Sequence, residues 1–459
     1  MDEYKKAFGR LNSRQAEAVE QIYGPVLVIA GPGTGKTQLI STRAGYILDK
    51  TDAAPNEILC LTYTNSGVAE MRERLISLIG QDAYAINIYT YHAFGSEIIY
   101  RHPEYFDDEQ LEQIEELRQD LLLREIISRL PYSSPLKYAD SYLNDIKGFI
   151  KDAKAALLEP KDIKAAAEAN LETIDILNKQ AKDVLDQIPS ISPKSAGKLE
   201  QLLRAIQRQK TTLKLPDSLK SLRDYAGEDL EAALADFSAG GKTSQITKWK
   251  NDWLEKDMHG NFIFKGAGVN QKIAAAAAIY QTYQDELKSR RLYDYEDMIL
   301  QAIRALEAHP ELKYSLAENY QFLMLDEFQD TNRAQIRLVE LLTDHPVHEG
   351  RPNILAVGDD DQAIYAFQGA DQANMYRLSR LYKDVKIINL TDNYRAHGEL
   401  IELAQGVAGQ IEERLHHNFK GLKKELVVAS KLLPSPPTIE LREFRSDAAE
   451  MAWLAKQIK

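Results

Sequence analysis

Pro25-Val-Leu-Val-Ile-Ala-Gly-Pro-Gly-Thr-Gly-Lys-Thr37 is the stretch that decides how this chain is read. Val26 to Ile29 is a short apolar run, the pattern of a buried strand. A glycine-rich loop follows, and Lys36-Thr37 opens a helix. Gly31, Gly33 and Gly35 let the backbone curl so that successive N–H groups converge on one anion. The helix N-terminus behind them adds its positive dipole end. Lys36 supplies a point charge for β- and γ-phosphates, and the Thr37 hydroxyl a ligand for Mg²⁺. Ala30 stands where the strict pattern has glycine. That position follows the strand and need not adopt positive φ. The expected nucleotide-binding set is therefore Ala30, Gly31, Pro32, Gly33, Thr34, Gly35, Lys36, Thr37 and Gln38.

Outward from this loop the chain alternates. Residues 11–23 read as an amphipathic helix with Asn12 or Ser13 as its N-cap. Thr37–Leu48 is the helix after the loop, Ile58–Thr62 a second buried strand, Ser66–Ile79 its helix, and Ile86–Thr90 a third strand with a helix to about Tyr100. Strand–helix alternation of this kind implies a parallel sheet covered on both faces. From about His102 to Asp285 the periodicity is helical with almost no strand signal, broken by Pro131, Pro160, Pro189, Pro193 and Pro216. Strands return at Phe322–Leu325, Ile354–Val357 and Val385–Leu390. The tail carries a Pro434-Ser-Pro-Pro437 link, an expected strand at Thr438–Phe444 and a helix from Asp447. Gly240-Gly-Lys-Thr243 imitates the loop signature, but no apolar strand precedes it, so it reads as an ordinary loop.

The 459 residues suffice for two or three domains. Hydrophobic residues at 44% and charged residues at 27% fit a globular protein. No apolar run reaches membrane-spanning length and the polar N-terminus lacks a signal-peptide core. One cysteine, Cys60 in an apolar run, excludes an internal disulfide framework and suits a cytoplasmic location. A net charge of −12 speaks against non-specific coating of nucleic acid, while leaving room for a local basic channel with salt-dependent binding. Lys194–Arg223, with eight Lys/Arg against two acidic residues, is either a solvated helix face or a phosphate-contacting patch.

Leu325-Asp-Glu-Phe-Gln-Asp330 ends an apolar strand. An acidic pair at the end of a strand beside a phosphate loop has a defined chemistry. Asp326 can hold Mg²⁺ through water, and Glu327 can accept a proton from the water attacking the γ-phosphate. Loop and acids together indicate nucleotide hydrolysis.

The chain resembles the UvrD/Rep/PcrA-like helicases of superfamily 1. Leu11-Asn-Ser-Arg-Gln15 resembles their Q motif, Leu61-Thr-Tyr-Thr-Asn65 the motif after the P-loop, and Thr90-Tyr-His-Ala-Phe94 their Thr-Phe-His segment. Leu292-Tyr-Asp-Tyr-Glu-Asp297 resembles the segment after the helical insertion, and Asp326-Glu-Phe-Gln-Asp-Thr-Asn332 their Walker B signature. Val357-Gly-Asp-Asp-Asp-Gln-Ala-Ile-Tyr365 resembles motif III and Asn393-Tyr-Arg395 motif IV, all in family order. The resemblance implies roles. Gln15 would read the adenine edge, Tyr394 would stack on adenine, and Arg43 would flank the base. Gln362 would sense the γ-phosphate, and Arg395 would be an arginine finger. Tyr63, Tyr365 and Phe367 would stack on single-stranded bases, a sequence-tolerant grip. Thr64, Asn65, Thr90 and His92 would complete the DNA contact. Phe367 and Gln368 replace the usual Trp and Arg of motif III, and nothing after Arg395 resembles motifs V and VI.

The resemblance therefore implies an α/β, RecA-like P-loop fold with an all-helical insertion and the start of a second RecA-like domain. The expected segments are 1–101 and 286–380 for the first motor domain, 102–285 for the insertion and 381–459 for a partial second motor domain. The implied function is an ATP- and Mg²⁺-dependent DNA helicase and translocase, 3′→5′, acting on single-stranded and forked DNA. The absence of motifs V and VI implies a chain cut short, weakly active by itself. Two alternatives stay open: a helicase subunit of a helicase–nuclease machine, and a nucleotide-binding fragment without helicase activity. Pathway and protein partners, whether in repair or recombination, are not legible.

Overall fold

The structure is a computed structural model. It describes residues 2–106, 112–138, 142–185, 196–208, 221–240, 244–363, 373–411, 422, 424–429 and 439–458. Tyr365, Phe367, Gln368, the Pro434–Pro437 link, Gly241–Thr243 and much of the basic run lie outside these residues. The chain divides into two compact units. One comprises Met1–Tyr91, Pro310–Thr331 and Val339–Lys459; the other comprises His92–His309 and Asn332–Leu338.

The first unit is built on a six-stranded sheet whose paired strands are all parallel. Its spatial order is Lys386–Leu390, Val26–Ala30, Ile354–Gly358, Phe322–Leu325, Ile58–Thr62 and Asn87–Thr90. Parallel strands demand cover on both faces. Every residue of Val26–Ala30 and of Ile58–Thr62 is accordingly buried. Val26, Val28, Ile58 and Cys60 pack with Leu39, Ile40, Met71 and Leu75 from the intervening helices. Cys60 is buried, and its burial pushes the thiol up to about 12. The helix after the loop runs Lys36–Lys50 and the next one Asn65–Ile79. The first amphipathic helix is shorter than its periodicity, Ser13–Glu20, with Asn12 as the cap.

Lys386–Leu390, which the sequence places beyond the first motor segment, is an edge strand of this sheet, with Val28 paired to Ile388. Apolar alternation alone cannot say which sheet a strand joins. Of the strand expected at Thr438–Phe444, Thr438 lies outside the described residues and 439–444 form no strand. Residues 439–444 pair with nothing assigned as a strand among the described residues, and Leu441 is fully exposed. A strand requires a neighbour to bond with. The helix from Asp447 is present as Asp447–Gln457.

Among the described residues the second unit is mostly helical, and its buried apolar side chains include two clusters. One gathers Leu123, Ile126, Ile146, Ile150, Tyr280 and Tyr283. The other gathers Leu177, Leu202, Ile206, Leu230, Trp249 and Phe264. A small antiparallel hairpin, Leu254–Lys256 with Phe262–Phe264, interrupts the helices. Asp257 accepts the N–H groups of His259 and Asn261 in its turn, and Gly260 takes φ +82°. Three-residue strands are too short for periodicity to reveal, so the sequence reads this stretch as helical.

Candidate functional site

The P-loop joins its strand to its helix through two left-handed residues, Gly33 (φ +71°) and Gly35 (φ +87°), a conformation costly for any residue with a Cβ. Space is also short: a Cβ on Gly35 would lie 2.9 Å from Gln15 Nε2. Thr34 is buried, and its hydroxyl donates to Gly31 O at 2.7 Å, holding the loop closed on itself. Lys36 is the first helical residue, and Thr37 and Gln38 follow half-buried on the first turn.

Lys36 Nζ lies 2.6 Å from Glu327 Oε2. Glu327 follows the central strand Phe322–Leu325 and adopts φ 48°, rare for a residue with a side chain. Asp326 beside it is buried, and its Oδ1 accepts the Glu327 N–H at 3.0 Å. Burial, then the charge of Glu327, push the Asp326 carboxyl up to about 6, with Lys36 pulling it back. Asp330 is raised to about 6 by the same two causes. Two close carboxylates beside one ammonium favour the arrival of further positive charge. Oxygen donors from Thr37 and Asp326 are of the type Mg²⁺ prefers, and Lys36 with the curled loop N–H groups suits a polyphosphate.

The segment at 392–396 rests on the loop. Asn393 is buried; its Nδ2 donates to Pro32 O at 2.6 Å, and its Oδ1 accepts the N–H groups of Arg395 and Ala396 at 2.8 Å each. The Tyr394 N–H donates to Gly33 O at 2.9 Å. A Cβ on Gly33 would meet Arg395 Cβ and Asn393 Nδ2 at 2.8 Å each, so glycine is what permits the approach. Arg395 and Tyr394 are exposed. Asn12 Nδ2 donates to the Tyr394 hydroxyl and to Asp392, each at 2.9 Å.

Two residues expected to face a base have interior partners. Gln15 forms a capping box with Asn12 and donates from Nε2 to Thr34 O at 2.8 Å. Arg43 is 1% exposed and donates to Ala18 O at 2.6 Å, and burial pulls its guanidinium down to about 9. Arg43 thus ties the P-loop helix to the helix Ser13–Glu20.

Gln362 lies in the turn Asp360–Gln362 and donates to Asp359 Oδ2 at 2.7 Å. Asp359, Asp360 and Asp361 bring their carboxylates together, and Lys424 Nζ sits among them, 3.2 Å from Asp359 and 3.6 Å from Asp361 and bonded to Asp360. Gly31, Pro32, Gln362, Leu390, Lys424 and Leu426 wall a cleft of about 220 Å³ here. P-loop and Gln362 therefore share a cavity wall.

In the first unit, Tyr63 is half-buried and Thr90 is buried. Thr64 and Asn65 are exposed, and the Thr64 hydroxyl accepts the Gly67 N–H at 3.0 Å as helix cap. In the second unit, His92 stacks on Tyr295 with 3.9 Å between ring centroids and shares a hydrogen bond with Glu296 at 3.3 Å. Tyr365 and Phe367 lie outside the described residues. Reading the sequence left Asn393, Gln329 and Lys424 without roles. The first two stand inside stretches already quoted. Lys424 carries no local signal, being 64 positions from Asp360.

Among the described residues, no helix is long and apolar enough to cross a membrane. The profile of the UvrD/REP helicase N-terminal domain matches residues 11–190 and 172–383. The chain is 26% identical over 448 residues to the ATP-dependent DNA helicase PcrA of Staphylococcus epidermidis, covering 98% of this chain and 45% of that protein. It is also 26% identical over 405 residues to PcrA of Staphylococcus aureus, covering 88% of this chain and 40% of that one. The chain thus spans less than half the length of these curated relatives. With most of its length under that profile, and with the P-loop, acidic pair and 392–396 segment gathered in one place, the chain belongs to the UvrD/REP helicase N-terminal domain family.

Proposed function

We propose that the chain is the nucleotide-binding part of an ATP-dependent DNA helicase that moves 3′→5′ along single-stranded DNA. One observation carries the reading: Lys36 of the P-loop and Glu327 of the acidic pair meet at 2.6 Å beside Asp326. Lys36 binds the β/γ-phosphates, Thr37 and Asp326 hold Mg²⁺, and Glu327 takes the proton of the attacking water. When bound there, Mg²⁺ would supply positive charge against the phosphate charge that grows in the transition state. Gln362 senses the γ-phosphate, Arg395 reaches it from the 392–396 segment, Tyr394 stacks on the base, and Gln15 and Arg43 support the loop and its helix from the interior through Thr34 O and Ala18 O. Tyr63, Thr64, Asn65, Thr90, His92, Tyr365 and Phe367 grip single-stranded or forked DNA. Residues 1–101 and 286–380 serve as the first motor domain, with Lys386–Leu390 completing its sheet at one edge, 102–285 as its insertion and the residues after Leu390 as the opening of the second. The protein works in the cytoplasm.

The test is ATP turnover and oligo-dT anisotropy in parallel. Oligo-dT affinity that changes with Mg-nucleotide, falls with salt and exceeds that for duplex supports the reading. Binding indifferent to nucleotide, with no ATP turnover, would overturn it.

A further inference from the structure

Gln329 is 1% exposed, and both ends of its amide are engaged. Nε2 donates to Glu327 Oε2 at 3.0 Å and to Asp330 Oδ2 at 3.3 Å. Oε1 accepts the Asp359 N–H at 3.0 Å. The partners fix the amide's orientation, because ionised carboxylates only accept and a backbone N–H only donates. Room for the approach is built in: a Cβ on Gly358 would lie 2.7 Å from Gln329 Oε1.

Beyond Asp359 the connection continues. Asp359 Oδ2 accepts from Gln362 Nε2 at 2.7 Å, and Asp359 Oδ1 accepts the Asp361 N–H at 3.2 Å. Glu327, Gln329, Asp359 and Gln362 thus form one continuous run of hydrogen bonds. Glu327 Oε2 receives two donors, Lys36 Nζ and Gln329 Nε2. If a phosphate draws Lys36 away, Gln329 is the donor that remains.

We propose that Gln329 is a positioning residue. It holds the Glu327 carboxylate in place once Lys36 has turned to phosphate, and it ties that carboxylate to the Asp359–Gln362 turn, so that a shift of the turn is felt at Glu327. This rests on the reading of Glu327 as the base of ATP hydrolysis. Gln329→Met keeps the length and removes both hydrogen-bonding functions. Gln329→Glu keeps the acceptor for the Asp359 N–H and turns a third carboxylate toward Glu327 and Asp330.

The experiment has two arms. In the first, kcat, KM and affinity for a fluorescent ATP analogue are measured for wild type and both variants, with thermal melts as a folding control. Nucleotide affinity should stay within about two-fold while kcat falls by about 10²-fold, the scale of a misplaced catalytic group. Gln329→Met should add no further loss in a Glu327→Gln background, because it acts through Glu327. A merely structural role would instead lower affinity and turnover together. Unchanged kcat in Gln329→Met, or full additivity with Glu327→Gln, would overturn the proposal.

The second arm needs no turnover. Hydrogen exchange across residues 354–362 is followed with and without a non-hydrolysable ATP analogue. Protection at Asp359–Gln362 should change on binding in wild type and not in Gln329→Met. The same change in both proteins, or none in wild type, would overturn the proposal. A wild type that shows the coupled protection but no turnover would count against the hydrolase reading alone.

Discussion

Lys36 and Glu327 stand 291 positions apart in the chain and meet at 2.6 Å, with only 11% of the lysine side chain exposed. Lys36 is thus held in the P-loop by an acid from a different strand. Lys36→Ala removes the phosphate charge and should abolish Mg·ATP binding or weaken it greatly. Calorimetric titration of both proteins checks this, and equal affinities would contradict the site.

Glu327→Gln keeps an oxygen facing Lys36 and cannot take a proton. Nucleotide affinity should persist while turnover falls by about 10²–10⁴, the usual cost of losing a general base. Affinity by anisotropy beside steady-state turnover separates the two effects. A variant hydrolysing at the wild-type rate would mean another group activates the water.

Asn393 is bonded at both ends of its amide, to Pro32 O and to the Arg395 and Ala396 N–H groups. Asn393→Ala leaves buried groups unpaired, at about 1–3 kcal/mol. It should lower the denaturation midpoint, and it should reduce kcat more than nucleotide affinity because Arg395 loses its anchor to the loop.

Lys154 in the helical unit has a wholly buried side chain, 2.6 Å from Asp294 and 2.8 Å from Asp297. Tyr283 also donates to Asp294, at 3.1 Å. Lys154→Met strands two buried carboxylates, and breaking a buried pair costs about 3–5 kcal/mol. The pH dependence has a definite sign. Burial already holds Asp297 above its usual value, with Lys154 pulling it down. Without Lys154 the folded-state value rises further. A carboxyl raised on folding stabilises at low pH, and that contribution is lost as pH rises through the folded value. The variant's deficit should therefore be larger at high pH than in mild acid, as urea midpoints at the two conditions would reveal.

The sequence by itself determined what depends on neighbours in the chain. An apolar run, three glycines and Lys36-Thr37 specify strand, loop and helix within thirteen positions, because backbone preference and capping act over a few residues. Asp326 and Glu327 were legible for the same reason, as acids ending an apolar strand. Only the tertiary structure decided that Lys386–Leu390 lies against Val26–Ala30, since the same alternation could serve any sheet edge. Tertiary structure alone also turned Arg43 inward to Ala18, set Asn393 under Pro32 and laid Lys424 among three aspartates. These pairings close loops of tens to hundreds of residues. Their geometry follows from sheet order and packing, which no local spacing encodes.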